Sequence, residues 1–143
     1  MKRILYVASE AVPFIKTGGL ADVVGSLPKC FNKEEFDVRV ILPKYMCMSE
    51  EWKSKMNYVT HFYMDLAWRS QYVGVLEMKY DGIQFYFIDN EYYFSRNMMY
   101  GNYDDGERFA YFGRAVLFLM SAVGFIPDIM HANDWQSAPA VIY

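Results

Sequence analysis

Ile4-Leu5-Tyr6-Val7-Ala8-Ser9-Glu10, followed by Lys16-Thr17-Gly18-Gly19-Leu20-Ala21-Asp22-Val23-Val24-Gly25-Ser26-Leu27-Pro28, is the stretch from which the fold can be read. Ile4 to Ala8 is an unbroken β-prone run bounded by polar residues, as expected of a strand buried on both faces of a parallel sheet. Pro13 to Gly19 reads as a loop. Leu20, Val23, Val24, Leu27 and Phe31 then recur at helical spacing and predict an apolar stripe packed on the sheet, with Pro28 shortening or kinking that helix. Asp37 to Leu42, stopped by Pro43, predicts a second strand. The three elements form a strand, helix, strand unit with a right-handed crossover, the opening of a doubly wound α/β fold.

Outward from that unit the pattern changes. Tyr72 to Tyr80 and Ile83 to Ile88 flank Asp81-Gly82, a type I′ hairpin signal, and a strand near Val59 to Leu66 would extend the hairpin to a meander. From Arg108 onward Phe109, Phe112, Val116, Met120 and Val123 keep helical spacing. Asp104 and Asp105 precede them at capping positions, and Gly124 and Pro127 supply the stop. Ile129-Met130 predicts a short strand leading to His131-Ala132-Asn133-Asp134-Trp135, and a last helical pattern runs from Ala138 to Tyr143. The expected architecture is thus a Rossmann-like parallel sheet with flanking helices and an inserted hairpin or meander. The chain stops on Val141-Ile142-Tyr143 without a capping signal, so a segment of a longer protein is expected.

The 143 residues suit one domain. A hydrophobic fraction of 54% permits a substantial core, and a net charge of −3 argues against a nucleic-acid or anionic-membrane partner. Aromatic residues make up 19% of the chain, enough to build a core or to line a sugar site, and composition does not choose between the two. Cys30 and Cys47 lack C-x-x-C spacing and read as reduced thiols. The apolar run after Lys2-Arg3 is too short for a signal peptide or a membrane span, so a cytoplasmic location is expected.

Chemistry concentrates in three places. Between the first strand and its helix, Lys16-Thr17-Gly18-Gly19 combines glycines that let backbone N–H groups approach an anion, a helix N-terminus and a full positive charge, a set suited to a diphosphate. The order is not that of a Walker A loop, and no G-x-G-x-x-G fingerprint is present. A plain Gly-Gly turn beside a solvated lysine explains the same residues. Glu10 and Asp22 should point toward the carboxyl edge of the sheet, where open α/β folds bind ligands, although Asp22 also suits the helix dipole. His131 and Asp134 follow another strand and reach the same edge, or serve as a buried histidine and a capping aspartate. Tyr100-Gly101-Asn102-Tyr103-Asp104-Asp105 could stack on sugar rings or simply lead into the long helix. No metal-ligand spacing appears between His61 and His131, and no G-x-S-x-G elbow occurs.

Together these segments resemble the bacterial glycogen synthase and plant soluble starch synthase family, glycosyltransferase family 5. The resemblance runs from Ile4 to the last residue. It is carried by Ser9-Glu10 with Lys16 to Lys29, and supported by Val38 to Pro43, Phe87-Ile88-Asp89-Asn90-Glu91, Tyr100-Gly101, Glu107 to Phe112 and His131 to Trp135. Asn133 stands where the family often has a second histidine. The resemblance implies a two-domain GT-B enzyme of which this chain is part of the N-terminal, acceptor-side domain, the C-terminal nucleotide-sugar domain being absent. It implies transfer of glucose from ADP-glucose to the 4-hydroxyl at the non-reducing end of an α-1,4-glucan, with retention and with neither metal nor cofactor. By that resemblance Lys16, Gly18 and Gly19 face the diphosphate, with Asp22 beside the donor. Glu10, Tyr100 and Asp134 lie on the acceptor side, with Lys16 and Asp134 the catalytic candidates. The isolated segment is expected to be inactive. A stand-alone glucan-binding module, or a GT-B transferase using another donor such as UDP-glucose, are the alternatives.

Overall fold

The computed structural model describes residues 1–143. One six-stranded mixed sheet organises it, in the order β3-β4-β5-β2-β1-β6. Its strands are β1 (Lys2–Val7), β2 (Phe36–Pro43), β3 (Asn57–Leu66), β4 (Arg69–Tyr80), β5 (Ile83–Asp89) and β6 (Ile129–Ala132). β5, β2, β1 and β6 are mutually parallel, whereas β4 runs antiparallel to both β5 and β3. The expected meander therefore exists, but it is not a separate insertion: β5, its last strand, is a full member of the parallel sheet. Asp81 and Gly82 both adopt positive φ, as a type I′ turn between β4 and β5 requires.

The first crossover carries helix α1 (Gly19–Ser26), which tightens into a 3-10 turn over Leu27–Cys30 where Pro28 interrupts it. Its buried face differs from the predicted stripe. Ala21, Val24 and Gly25 face inward and Leu20 and Phe31 pack against the core, whereas Val23 and Leu27 are exposed. Small residues bring this helix close to the loop before it, so the larger side chains two positions away turn outward. Short helices α2 (Glu50–Lys53) and α3 (Glu91–Phe94) sit in segments without a predicted element, each capped by a side chain, Ser49 and Asn90 respectively.

The long helix α4 (Asp105–Ala122) links β5 to β6, and α5 (Asp134–Ile142) follows β6, starting four residues before its predicted apolar pattern. Tyr6, Val40 and Phe85 share a face of the sheet by register, and Phe14 and Phe31 pack on it; Arg39 and Tyr86 share the other face, where the Phe125 ring lies 4.1 Å from the Arg39 guanidinium. Right-handed crossovers in opposite directions, β1 to β2 and β5 to β6, account for this two-sided cover. Half the aromatic question is thereby answered: Tyr6, Phe14, Tyr45, Phe87, Phe109 and Phe112 are core, while Tyr58, Tyr63, Trp68, Tyr92 and Tyr103 are exposed.

The α4–α5 contact depends on Gly113. A Cβ there would lie 2.6 Å from the Ala140 nitrogen and 2.8 Å from the Pro139 carbonyl carbon, backbone atoms that cannot turn aside. Alanine gains about 1 kcal/mol over glycine in a helix interior, but overpacking costs roughly 1–3 kcal/mol. Because the clash is with backbone, the upper end of that cost applies and Gly113→Ala is expected to lower stability by a net of up to ~2 kcal/mol, read as a reduced urea midpoint at unchanged slope.

Candidate functional site

Strand order fixes where a ligand can sit. From β1 the chain moves to β2 and β5 on one side, then returns to β6 on the other, so the order reverses between β1 and β6. Open α/β sheets bind ligands in the crevice at the carboxyl ends of the strands flanking such a reversal. Ser9 and Glu10 follow β1, and Asn133 and Asp134 follow β6, at that crevice.

Glu10 organises the site. It is 3% exposed, and its Oε1 accepts the Thr17 hydroxyl at 2.7 Å and the Tyr100 hydroxyl at 2.9 Å, while Oε2 accepts the Thr17 and Gly18 amides at 2.8 and 3.2 Å. Four donors match the roughly four lone-pair sites of an ionised carboxylate. Burial pushes its pKa up, but the bonds from Thr17, Tyr100 and Gly18 outweigh burial and hold it below the ordinary value. Both Glu10 oxygens are thereby engaged in holding the loop, and the Gly18 amide is turned toward Glu10.

What remains outward is the anion-attracting part. Gly19 opens α1, and the first amides of a helix have no intrahelical acceptor. Lys16, about half exposed, donates from Nζ to both Asp22 oxygens at 2.9 and 2.7 Å. An ammonium has three donors, so this pairing leaves one while fixing the direction of the charge. A half-exposed pair of this kind is worth only about 0–1 kcal/mol and yields readily to a more highly charged anion.

Phe14 anchors the loop from below. It is 3% exposed, with ring centroids 4.7 Å from Phe85 and 5.1 Å from Phe87, and further edge contacts to Trp52 and Tyr80. Tyr45, also buried, donates to the Ser9 carbonyl at 2.8 Å.

Tyr100 joins the opposite wall to this loop. Its hydroxyl lies 2.6 Å from Ser9 Oγ as well as bonding Glu10, and its ring leans on Phe109, which meets Trp135 edge-on. Burial outweighs the bond from Ser9 and, with the Glu10 and Asp134 carboxylates, holds the Tyr100 phenol well above its ordinary pKa. The Tyr100 hydroxyl is thus engaged within the protein, bonded to Ser9 and Glu10. Its loop is fixed by Arg108, fully buried, which donates to the Tyr93 and Met99 carbonyls and to Asp105, and Asp105 in turn accepts the Gly101 and Asn102 amides. Asp104 holds the cap position just before α4 but makes no capping bond, since Arg96 holds its carboxylate at 2.8 and 2.9 Å.

His131 lies within β6, exposed and stacked on Tyr6 at 4.5 Å, so it is neither buried nor beyond the strand. Asn133, the departure from the family pattern, caps α5 in position and ties its side-chain amide to the Val7 and His131 carbonyls, bridging β1 and β6. Asp134 is exposed, with φ of 62°, a left-handed backbone rarely tolerated outside glycine, asparagine and aspartate. Glu10, Lys16, Gly18, Gly19, Asp22, Tyr100 and Asp134 are thus brought to one edge of the sheet, and of these Lys16 and Tyr100 line a cleft of about 440 Å³ together with Ile15, Thr17, Met98 and Met99. A cavity of about 380 Å³ at the amino edge contains none of them.

Phe14, Tyr45 and Arg108 were the supports that residue patterns did not single out. Arg108 left a signal, since it falls in register with Phe112 and Leu119 on the apolar face of α4, an unusual place for a guanidinium.

Fold and site together define an open α/β domain whose loop after β1 carries Lys16, paired to Asp22, at the switch point. Residues 3–143 match the family model described as the starch synthase catalytic domain. The chain belongs to that family. It is 60% identical over 144 residues to a glycogen synthase of Lachnoclostridium phytofermentans and 55% identical over 135 residues to one of Clostridium botulinum strain Alaska E43, covering 100% and 94% of this chain. It spans 30% and 28% of those two relatives' lengths. The catalytic domain of starch synthase IV from Arabidopsis thaliana, solved bound to ADP and acarbose, superposes with a TM-score of 0.85 at 33% identity, over 96% of this chain and 29% of that one. No helix is long and apolar enough to cross a membrane.

Proposed function

We propose that this chain supplies the acceptor side and the diphosphate-facing loop of a glycogen synthase, which moves glucose from ADP-glucose to the 4-hydroxyl of an α-1,4-glucan. The observation that carries the reading is the Glu10 carboxylate, which folds the loop so that Lys16 and the start of α1 face the carboxyl-edge cleft together. ADP in the Arabidopsis relative supports a nucleotide diphosphate as the anion, and acarbose there supports a glucan-like acceptor.

In this reaction the bond between the sugar C1 and the diphosphate oxygen breaks while the acceptor 4-oxygen bonds to C1, and the acceptor's hydroxyl proton passes to the departing diphosphate. Negative charge grows on the departing ADP and positive charge on the sugar. Lys16, held by Asp22, and the free amides at the start of α1 stabilise the leaving diphosphate electrostatically, without reorganising. Glu10 and Tyr100 act one step back, holding that loop against the opposite wall. Asp134 presents an exposed carboxylate to the acceptor hydroxyls. The rest of the donor pocket belongs to the part of the relatives outside this chain, and the segment alone is expected to be inactive. The reaction is proposed to need no metal and no cofactor, and to run in the cytoplasm.

Asp134→Asn in the complete protein is expected to reduce kcat/KM for glycogen about 10–100-fold, the value of one hydrogen bond to a charged group. Steady-state kinetics at saturating ADP-glucose checks this, and an unchanged kcat/KM removes Asp134 from the acceptor side. Transfer of labelled glucose, with ADP-glucose and UDP-glucose offered in parallel, tests the donor.

A further inference from the structure

The amino edge of the sheet, opposite the Lys16 cleft, holds a second concentration of charge. A cavity of about 380 Å³ opens there between the β4–β5 turn, the loop before β2 and the first residues of β2 and β5. Lys33, Arg39 and Lys79 line it, against the carboxylates of Asp37 and Glu77. The three cations are not equivalent. Arg39 is fixed: Nε and Nη2 donate to Asp37 at 3.2 and 3.0 Å, Nη1 donates to the hydroxyl of buried Tyr86 at 2.7 Å, and the Phe125 ring lies 4.1 Å from the guanidinium. Three of its five N–H groups are used, and two remain. Lys33 and Lys79 are exposed and neither is ion-paired, whereas Lys16, Lys29, Lys44, Lys53 and Lys55 each meet a carboxylate. The Lys33 ammonium is drawn in over the β4–β5 turn, into space that a side chain at Gly82 would fill.

Two ammonium groups without partners, beside a guanidinium locked in one orientation, suit a compact dianion with several acceptor oxygens, and a phosphate group is that anion. Asp37 is neutralised by Arg39, so the surplus positive charge lies with Lys33 and Lys79. Another wall accepts instead of donating. Gln84 turns its amide nitrogen to one Glu77 oxygen at 3.3 Å, which leaves the Gln84 carbonyl and the second Glu77 oxygen for hydroxyl donors. Phe31 and Phe36, edge-on at 5.3 Å, close the cavity on its apolar side. Its volume falls in the range of small-ligand pockets and exceeds what a free phosphate ion fills. We infer that this cavity binds a phosphorylated sugar or polyol, with the phosphate at Lys33, Lys79 and Arg39 and the hydroxyls at Gln84 and Glu77. The site is separate from the donor cleft, because the eight residues of β2, roughly 26 Å at ~3.3 Å per residue, run from this edge to the one that carries the Lys16 loop.

The test is isothermal titration calorimetry on the complete protein with ADP at saturation, using ribose 5-phosphate, inorganic phosphate and ribose as probes. Ribose 5-phosphate is expected to bind at least ~10-fold tighter than inorganic phosphate, and ribose not at all, since the hydroxyl contacts add to a phosphate anchor. Lys33→Ala combined with Lys79→Ala, at exposed and unpaired positions, is expected to weaken ribose 5-phosphate at least ~10-fold, the scale of losing one hydrogen bond to a charged group. Lys16→Ala leaves that affinity unchanged. Absence of binding, or binding that the paired lysine variant does not weaken, would overturn the site. Equal affinity for inorganic phosphate would overturn the sugar ester as its ligand, and a loss in Lys16→Ala would put the probe in the donor cleft instead. The readout is binding, so the result holds whether or not the protein transfers glucose.

Discussion

Lys16→Ala in the complete enzyme is expected to lower kcat at least ~100-fold, about 2.7 kcal/mol of barrier, with little change in thermal stability. The two effects separate because of where Lys16 stands. Its side chain is half exposed and its partner is the equally exposed Asp22, so deleting it costs the fold about 1 kcal/mol or less. In the proposed reaction the same ammonium would face a diphosphate that gains charge as it leaves, where an oriented cation counts for far more than in the ground state. Lys16→Arg keeps the charge but enlarges the head and changes its geometry, so it should recover only part of the rate. A well-folded Lys16→Ala enzyme with near-normal turnover would take Lys16 out of the diphosphate site.

Glu10 is expected to behave in the opposite way, with fold and rate falling together. Glu10→Ala strips the partner from two amides and two hydroxyls in a nearly dry place. Each buried donor left without an acceptor costs about 1–3 kcal/mol, and the hydroxyls can turn elsewhere, so a loss of roughly 3–4 kcal/mol is expected in chemical denaturation. Turnover should fall with it because the Lys16 loop and the Tyr100 wall lose their common anchor. Glu10→Gln is milder. The amide oxygen can face the Thr17 and Gly18 N–H groups, which cannot reverse, while its NH2 faces the Thr17 and Tyr100 hydroxyls, which can rotate to accept.

That substitution also has a pH signature. A carboxylate whose folded pKa lies below its unfolded value stabilises the fold above the unfolded pKa, and the contribution disappears as pH falls through the folded one. Glu10 is such a group. Wild type should therefore lose stability relative to Glu10→Gln below the ordinary glutamate range near pH ~4.3, with the difference constant at neutral pH. Parallel acid-range profiles for the two proteins would contradict this placement of the Glu10 charge.

Much of the fold was legible because it rests on local chemistry. The apolar run of β1, the Asp81-Gly82 turn and the stripe of α4 each announce themselves locally, and the Lys16 to Asp22 stretch is placed by its position after β1 at the carboxyl edge. The direction of the loop's bonds was not legible. Whether the Gly18 amide faces a ligand or a carboxylate depends on Glu10 curling under it, and Glu10 is held there by Tyr100, 90 residues away in sequence. The exposed side of α1 was missed for a related reason: Val23 and Leu27 keep helical spacing with Leu20, but the close approach allowed by Ala21 and Gly25 rotates the buried face toward the small residues. The membership of β5 in both the meander and the parallel sheet is likewise a long-range pairing, Val40 with Phe85, that no local pattern encodes.

The most direct measurement is incorporation of labelled glucose into glycogen by the complete protein, with ADP-glucose and UDP-glucose offered side by side and Lys16→Ala run in parallel. Incorporation from ADP-glucose that collapses in the variant is the expected result. A folded wild-type protein that transfers from neither donor, or a Lys16→Ala variant that transfers as well as wild type, would contradict the placement of the diphosphate at the loop after β1.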